Sequence, residues 1–278
     1  MTFGLLIVGD EILSGKRADK HFSRVVELLG ERGLALSWAR YVGDDPDRIT
    51  ADLRDAFAAA ERGEVVFSCG GIGATPDDHT RGCAARALDR PLELHPQARD
   101  LIRERMQDVA AEQGVPYEPD RPDNVHRLNM GVFPAGAEVI PNPYNKIAGF
   151  ALRHPASAGG GGVFFVPGFP VMAWPMIAWV LDTHYADRHR REPREERSVI
   201  VFGAMEAALT PLMEAVEASH PGVKVFSLPS VDHPTWGRHI ELGVKGAVAA
   251  VPPAYDQLLA GLKALSSRLG PEMVRSLA

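Results

Sequence analysis

Only two cysteines, Cys69 and Cys83, occur in 278 residues, and no CxxC pair is present. That scarcity excludes a disulfide framework and leaves a zinc or redox motif without support. A basic surplus is missing too: 30 Lys and Arg face 36 Asp and Glu, a formal net charge of −6. A general electrostatic grip on nucleic acid is therefore excluded. No apolar run is long enough to span a bilayer, so no membrane association is expected. The opening MTFGLLIV lacks a basic start and is halted by Gly9-Asp10-Glu11, so it reads as a buried strand rather than a signal peptide, and a cytoplasmic protein is expected. Neither a GxSxG elbow nor the GxxxxGK(S/T) loop of nucleoside triphosphate enzymes occurs, and there are no internal repeats or coiled-coil heptads.

What is present suits a folded domain. Hydrophobic residues make up 45% of the chain and charged residues 24%, enough for one large domain with a smaller appendage. Phe3–Val8 is a continuous β-prone run, as in a strand covered on both faces. Phe22, Val25, Val26, Leu28 and Leu29 then fall at helical spacing, with Asp19 able to cap the start and Gly33 to end it. Leu34–Val42 reads as a second strand. A helix follows, with Asp45 at the N-cap, Pro46 in the first turn and Gly63 at the exit. Glu64–Ser68 is a third strand. Strand–helix–strand–helix–strand with short connections predicts parallel strands, right-handed crossovers and helices on both faces.

Further on, TRGCAARAL and PQARDLIRERMQDVAAEQG read as helices and RPDNVHRLNM as a turn or two more. Short strands are expected at AEVI, FALR and VFFV, the last two joined by a hairpin whose tip is the glycine run Ser157–Gly162. The segment from Pro167 becomes a helix carrying Trp174 and Trp179 toward the core. The basic cluster RHRREPREER is interleaved with acids and reads as a solvated linker. Residues 1–186 are thus expected to form the main domain, 187–197 a linker, and 198–278 a small α+β domain of three strands and two helices.

In open parallel sheets ligands sit beyond the carboxyl ends of the strands. Three acidic or glycine-rich turns fall there: Gly9-Asp10-Glu11, Gly43-Asp44-Asp45, and CGGIGATPDD from Cys69 to Asp78. Gly70, Gly71 and Gly73 are expected to leave amides bare ahead of a helix starting near Thr80, a setting that attracts phosphate. Asp77 and Asp78 beside such a loop repel phosphate unless a cation intervenes. Mg²⁺ takes one or two carboxylates with phosphate oxygens and waters, and Asp10, Glu11, Asp44, Asp45 and Asp78 are candidate ligands. Asp77 or Asp78 equally suits a helix cap. His79 can serve as a base or stand as a neutral surface residue, and Lys146 can pair with phosphate or stand solvated.

GDEILSGKRAD, VGDDPDRI and CGGIGATPDDHT, in that order and at those strand ends, resemble the molybdopterin-binding MoaB/Mog family, and within it the N-terminal domain of CinA-like proteins. FPAGAEVIPNPYNKIAGF and VPGFPVMAWPM are similar to two further family segments, so the likeness runs from about Phe3 to Trp179, and the tail from Ser198 looks like the small domain that follows. The nicotinamide-nucleotide deamidase domain of longer relatives is not expected in this chain. The resemblance implies a three-layer α/β/α fold with a mostly parallel sheet. It implies a pterin phosphate or nucleoside diphosphate as ligand, with molybdopterin among the candidates, and a homodimer or homotrimer. The family's two functional aspartates fall on Asp44 and Asp78, the expected catalytic and metal-holding pair. One branch implies adenylyl transfer to molybdopterin. The CinA branch implies divalent-metal-dependent cleavage of ADP-ribose or a similar dinucleotide. Departures from the family pattern are Cys69 for Ser or Thr, Ala74 for Pro, Asn145–Ala148 for Gly-x-Ala-Pro, Met172 for Glu, and His21 for Asn.

Overall fold

The computed structural model describes residues 2–154, 160–189 and 194–277. These divide into two compact units, one holding the elements from Phe3 to Arg188 and the other those from Arg194 to Leu277.

The first unit runs β1 (Phe3–Val8), α1 (Asp10–Leu13), α2 (His21–Gly30), β2 (Leu36–Val42), α3 (Pro46–Glu61), β3 (Val65–Cys69) and α4 (Thr80–Leu88). It continues with β4 (Leu92–Leu94), α5 (Pro96–Glu112), α6 (Pro122–Arg127), β5 (Val132–Pro134), β6 (Glu138–Ile140), β7 (Gly149–Arg153), β8 (Gly162–Val166) and α7 (Pro170–His184). The main sheet has the order β2-β1-β3-β8-β7-β6. β2, β1, β3 and β8 are parallel, while β7 and β6 each run antiparallel to the preceding neighbour. The three expected parallel strands are therefore present, together with the β7–β8 hairpin. Gly160–Gly162 of the expected hairpin tip are described, and Ser157–Gly159 lie outside the described residues.

The strands β1, β3 and β8 are buried along their whole length, because both faces are covered. On one face Leu6, Val66, Val163 and Phe165 pack with Ile49, Leu53 and Phe57 of α3. Phe133, Phe150 and Phe165 stack there, with ring centroids 4.7 and 4.3 Å apart. On the other face Phe3 and Phe164 meet Tyr185 edge-on at the end of α7. Each such aromatic pair adds about 0.5–1.5 kcal/mol beyond burial. Helix starts follow the expected chemistry: Asp45 accepts the Arg48 amide at 2.7 Å, and Asp19 accepts the amides of His21 and Phe22.

The second unit holds β9 (Arg194–Phe202), α8 (Glu206–Ser219), β10 (Lys224–His233), β11 (Gly237–Ala247), α9 (Val251–Ala264) and β12 (Arg268–Leu277). Its four strands form an antiparallel sheet in the order β10-β11-β9-β12, packed through Val199, Val201, Leu242 and Val244 onto Leu209, Val216, Leu258 and Leu262. Three features depart from expectation. β9 starts at Arg194, so Arg194–Arg197 pair with β11 rather than forming solvated linker. The stretch after Ala264 turns at Ser266, with a left-handed φ of 54°, into β12, a fourth strand beyond the three expected. β4 and β5 form an extra two-stranded ribbon. Residues 190–193 of the expected linker lie outside the described residues.

Candidate functional site

The sheet register dictates where the acidic turns go. Val8 of β1 is opposite Val42 of β2, so the residues two places beyond each strand, Asp10 and Asp44, come together. Ile7 is opposite Cys69, which sets Gly9 beside the Gly70–Gly71 turn of β3. Cys69 in turn is opposite Val166, which adds Pro167-Gly168-Phe169 from the end of β8. The four loops surround a cavity of about 660 Å³ lined by Val8, Gly9, Glu11, Lys16, Arg17, Asp44, Gly70–Thr75, Asp77, Asp78 and Pro167–Phe169. A second opening of about 620 Å³ beside it is lined by Asp10, Glu11, Leu13, Ser14, Lys16, Asp44 and Asp77.

The glycine loop is held from beneath. Gly70 donates to Val166 O at 3.0 Å, and Gly71 O accepts the Thr80 amide at 2.9 Å. Buried Thr80 also gives its hydroxyl to Gly70 O at 3.1 Å. Gly70 and Gly71 have φ of 106° and 67°, and a Cβ on them would overlap Val8 O and the Thr80 hydroxyl respectively. Only glycine fits either place. Thr80 is thus a brace under the loop, not a ligand contact.

Asp78 is the second brace. Its Oδ1 accepts the Gly73 amide at 2.8 Å, and its Oδ2 accepts the Thr75 amide at 2.8 Å and the Thr75 hydroxyl at 2.6 Å. Three of about four acceptor positions on that carboxylate are filled. Neither Asp78 nor Asp77 caps α4, whose N-cap residue is His79 with no side-chain bond. His79 lines neither cavity. These bonds also correct the expectation that all three glycines present bare amides. Gly70 and Gly73 are committed; among the described residues of the Gly70–Thr75 loop, the amides with no protein acceptor are those of Gly71, Ile72 and Ala74.

Asp10 and Asp44 exchange backbone bonds, Asp10 N to Asp44 Oδ2 at 2.9 Å and Asp44 N to Asp10 Oδ1 at 3.1 Å. Partial burial pushes the Asp44 carboxyl above its ordinary value, and the charges of Asp10, Glu11 and Asp77 push the same way against the Asp10 amide. This excess of negative charge favours a cation. Among the described residues no group of three or more His, Cys, Asp or Glu is arranged to hold a metal by itself. Mg²⁺ needs only one or two carboxylates when phosphate oxygens and waters complete its shell, and Asp44 with Asp77 at the cavity would meet that requirement. Asp78 fits that role poorly, because its oxygens already serve the loop. Asp45 caps α3 and lines neither cavity.

Lys146 is not in the site. Its Nζ sits 2.6 Å from both Glu104 and Asp108, successive turns of α5, and those two carboxylates raise its pKa. The cations at the cavity are Lys16 and Arg17 instead, on the turn after α1 that closes with Arg17 N on Glu11 O at 2.9 Å. They lie inside the GDEILSGKRAD stretch, where a basic pair beyond an acidic turn was the available signal. His21 is a further brace: it is 4% exposed and its Nε2 lies 3.0 Å from Gly168 O. Cys69 is buried and its thiol pKa is pushed up, so it is inert. A cavity of about 540 Å³ in the second unit contains none of the expected site residues. No helix among the described residues is long and apolar enough to cross a membrane.

Comparison with known proteins places these features in a family. The profile described as "Probable molybdopterin binding domain" matches residues 4–186. A CinA-like protein of Syntrophotalea carbinolica is 31% identical over 226 residues, covering 78% of this chain and 50% of that protein. A CinA-like protein of Geobacter sulfurreducens is 29% identical over 276 residues, covering 99% of this chain and 61% of its own. The chain thus spans about half to three-fifths of the length of these curated relatives. Among solved structures, the CinA protein of Thermoplasma acidophilum, described as of unknown function, superposes with a TM-score of 0.53 at 24% identity over 66% of this chain and 98% of its own, a likeness of fold. The parallel sheet, the acidic turns at its strand ends and the profile over 4–186 agree: the chain belongs to the molybdopterin-binding-domain family and is CinA-like.

Proposed function

We propose that the cavity at the strand ends binds a nucleoside diphosphate and slowly hydrolyses its diphosphate linkage, as in ADP-ribose, with a divalent cation. The observation that carries this reading is the facing of two unlike walls across one cavity. Gly71, Ile72 and Ala74 amides, Lys16 and Arg17 suit an anion, while Asp44 and Asp77 bring negative charge to the same space. That pairing suits a phosphate and a cation together better than either alone.

The residues have separable tasks. Lys16 and Arg17 neutralise diphosphate oxygens, and the loop amides orient them. Asp78 and Thr80 keep those amides in place. Asp44 and Asp77, with Asp10 adjacent, would hold the cation, which supplies a Lewis acid for a phosphoryl oxygen when bound. A water oxygen attacks phosphorus, the bridging P–O bond breaks, and the water's proton passes to a carboxylate. Incubation with ADP-ribose and Mg²⁺ should release AMP and ribose 5-phosphate, and Asp44→Asn should abolish the release. Turnover that survives Asp44→Asn contradicts the reading.

A second reading has one observation in its favour. Asp78, one of the two aspartates expected to be catalytic, is occupied in bracing the loop. The same cavity then holds a nucleotide or a pterin phosphate such as molybdopterin without turnover. Tight binding with no product supports this carrier reading and removes the hydrolytic one.

A further inference from the structure

Along Gly70–Thr75 the carbonyls are engaged even more fully than the amides. Gly70 O and Gly71 O accept from Thr80, Ile72 O from the Arg81 guanidinium, Ala74 O from His126, and Thr75 O from the Asp78 amide. Among the described residues of the loop, Gly73 O alone has no protein donor. Arg81 and His126 line neither cavity of the site, so the bonds they make hold Ile72 O and Ala74 O outside it.

Two peptide units are thereby gripped at both ends. The Ile72–Gly73 unit gives its amide to Asp78, and its carbonyl receives Arg81. The Ala74–Thr75 unit also gives its amide to Asp78, and its carbonyl receives His126 Nε2 at 3.1 Å. The Gly73–Ala74 unit between them is bonded at neither end. Its two neighbours therefore set the direction of the Ala74 amide. A peptide unit that begins at a glycine turns over easily, and once turned it offers a carbonyl, which attracts a cation rather than an anion.

His126 reaches the loop from α6, 52 residues away in sequence. The helix that carries it is anchored: buried Asn124 donates its side-chain amide to Glu118 O at 2.7 Å and accepts from Arg127 at 3.1 Å. Because Ala74 O can only accept, His126 Nε2 carries the proton. Nδ1 is then an acceptor, with Asn129 Nδ2 3.4 Å away to donate.

We propose that His126 is a positioning residue for the donor wall of the cavity. By holding the Ala74 carbonyl outside, it keeps the Ala74 amide turned to the ligand and makes this wall select a phosphate oxygen over a cation. The inference rests on the anion-binding reading of the cavity and is independent of turnover. His126 bonds none of Asp10, Asp44 and Asp77, so the acidic wall does not depend on it.

The test uses ADP with Mg²⁺ in calorimetry, and Mg²⁺ alone in thermal melts, on the wild type, His126→Ala and His126→Gln. His126 is exposed, so neither substitution opens the core, and a melt of the free protein equal to wild type verifies folding. Glutamine keeps a donor near the place of Nε2. His126→Ala should weaken ADP about fivefold, the order of one hydrogen bond. In the free protein it should shift the Ala74 amide resonance and leave those of Gly71 and Ile72, whose peptide units Thr80 holds. His126→Gln should recover both the affinity and the resonance. The rise in melting midpoint given by Mg²⁺ alone should be equal in all three proteins. Equal ADP affinity in wild type and His126→Ala, a loss that His126→Gln fails to recover, or a Mg²⁺ response that falls together with ADP affinity overturns the positioning role while the anion-binding reading stands. Absence of ADP binding in the wild type overturns both.

Discussion

Asp10 and Asp44 cap one another: each donates its backbone amide to the other's carboxylate, at 2.9 and 3.1 Å. The exchange ties the turn after β1 to the turn after β2 and gathers two negative charges at the mouth of the cavity. Both charges are tolerated because each carboxylate receives an amide, yet partial burial, and after it the charges of Asp10, Glu11 and Asp77, keep the pKa of Asp44 raised.

Asp44→Asn tests the cost of burying that charge among its acidic neighbours. Asparagine keeps an acceptor for the Asp10 amide and removes one charge. Because the folded-state pKa of Asp44 is raised, the folded protein holds this proton more tightly than the unfolded chain does. Wild-type stability should therefore fall as pH rises from the ordinary carboxylate range through the raised value. The variant should be the more stable at neutral pH, with the difference vanishing in acid. Paired thermal melts from about pH 4 to pH 8 measure this; an advantage that grows in acid contradicts it. Mg²⁺ should raise the wild-type midpoint at neutral pH and lose that effect in acid.

Asp78→Ala removes the acceptor for two amides and one hydroxyl. Hydrogen bonds to a charged group contribute about 1.5–3 kcal/mol each, and solvent reaching the loop offsets part of the loss. The expected cost is about 2 kcal/mol in urea unfolding, with faster hydrogen exchange at Gly73 and Thr75. A purely catalytic Asp78 predicts lost turnover with stability and exchange unchanged.

Lys16→Ala and Arg17→Ala should each weaken nucleotide binding about tenfold and reduce its salt dependence, as expected when a phosphate contact is removed. Lys146→Ala should leave binding unchanged, since that lysine is held by Glu104 and Asp108. Loss of binding in Lys146→Ala, with Lys16→Ala unaffected, would return the phosphate site to the place first expected from sequence.

Gly71→Ala places a Cβ against the Thr80 hydroxyl at a φ of 67°. The expected loss exceeds the 1 kcal/mol or so that separates Gly from Ala at neutral positions. Thr80→Val, which keeps shape and loses the bond to Gly70 O, should cost about 1 kcal/mol. Urea midpoints of the two single variants and the double variant measure whether the residues act as one brace. Losses that simply add would show independent roles.

Much of the site was legible because parallel strands in register align the residues that follow them. The first aspartates of GDE and GDD stand two places beyond partnered valines, so the sequence spacing already carried the Asp10–Asp44 meeting. The continuous apolar runs of β1 and β3 likewise announced strands covered on both faces. Lys146 misled because its partners Glu104 and Asp108 lie on a distant helix, and only the packing of α5 brings them to it. Asp78 read as a ligand because a sequence does not show which carboxylates are already engaged by nearby amides. β12 lay beyond the three strands expected because its order comes from pairing to β9, with a register shift between Leu269 and Glu272, rather than from a continuous apolar run.

Amide chemical shifts under titration with ADP-ribose and Mg²⁺ test the central claim most directly. The account predicts that Gly71, Ile72 and Ala74, the loop amides without a protein acceptor, shift together and saturably, whereas amides around Lys146 do not. Unmoved loop amides at ligand saturation, or shifts confined to another surface, would contradict it.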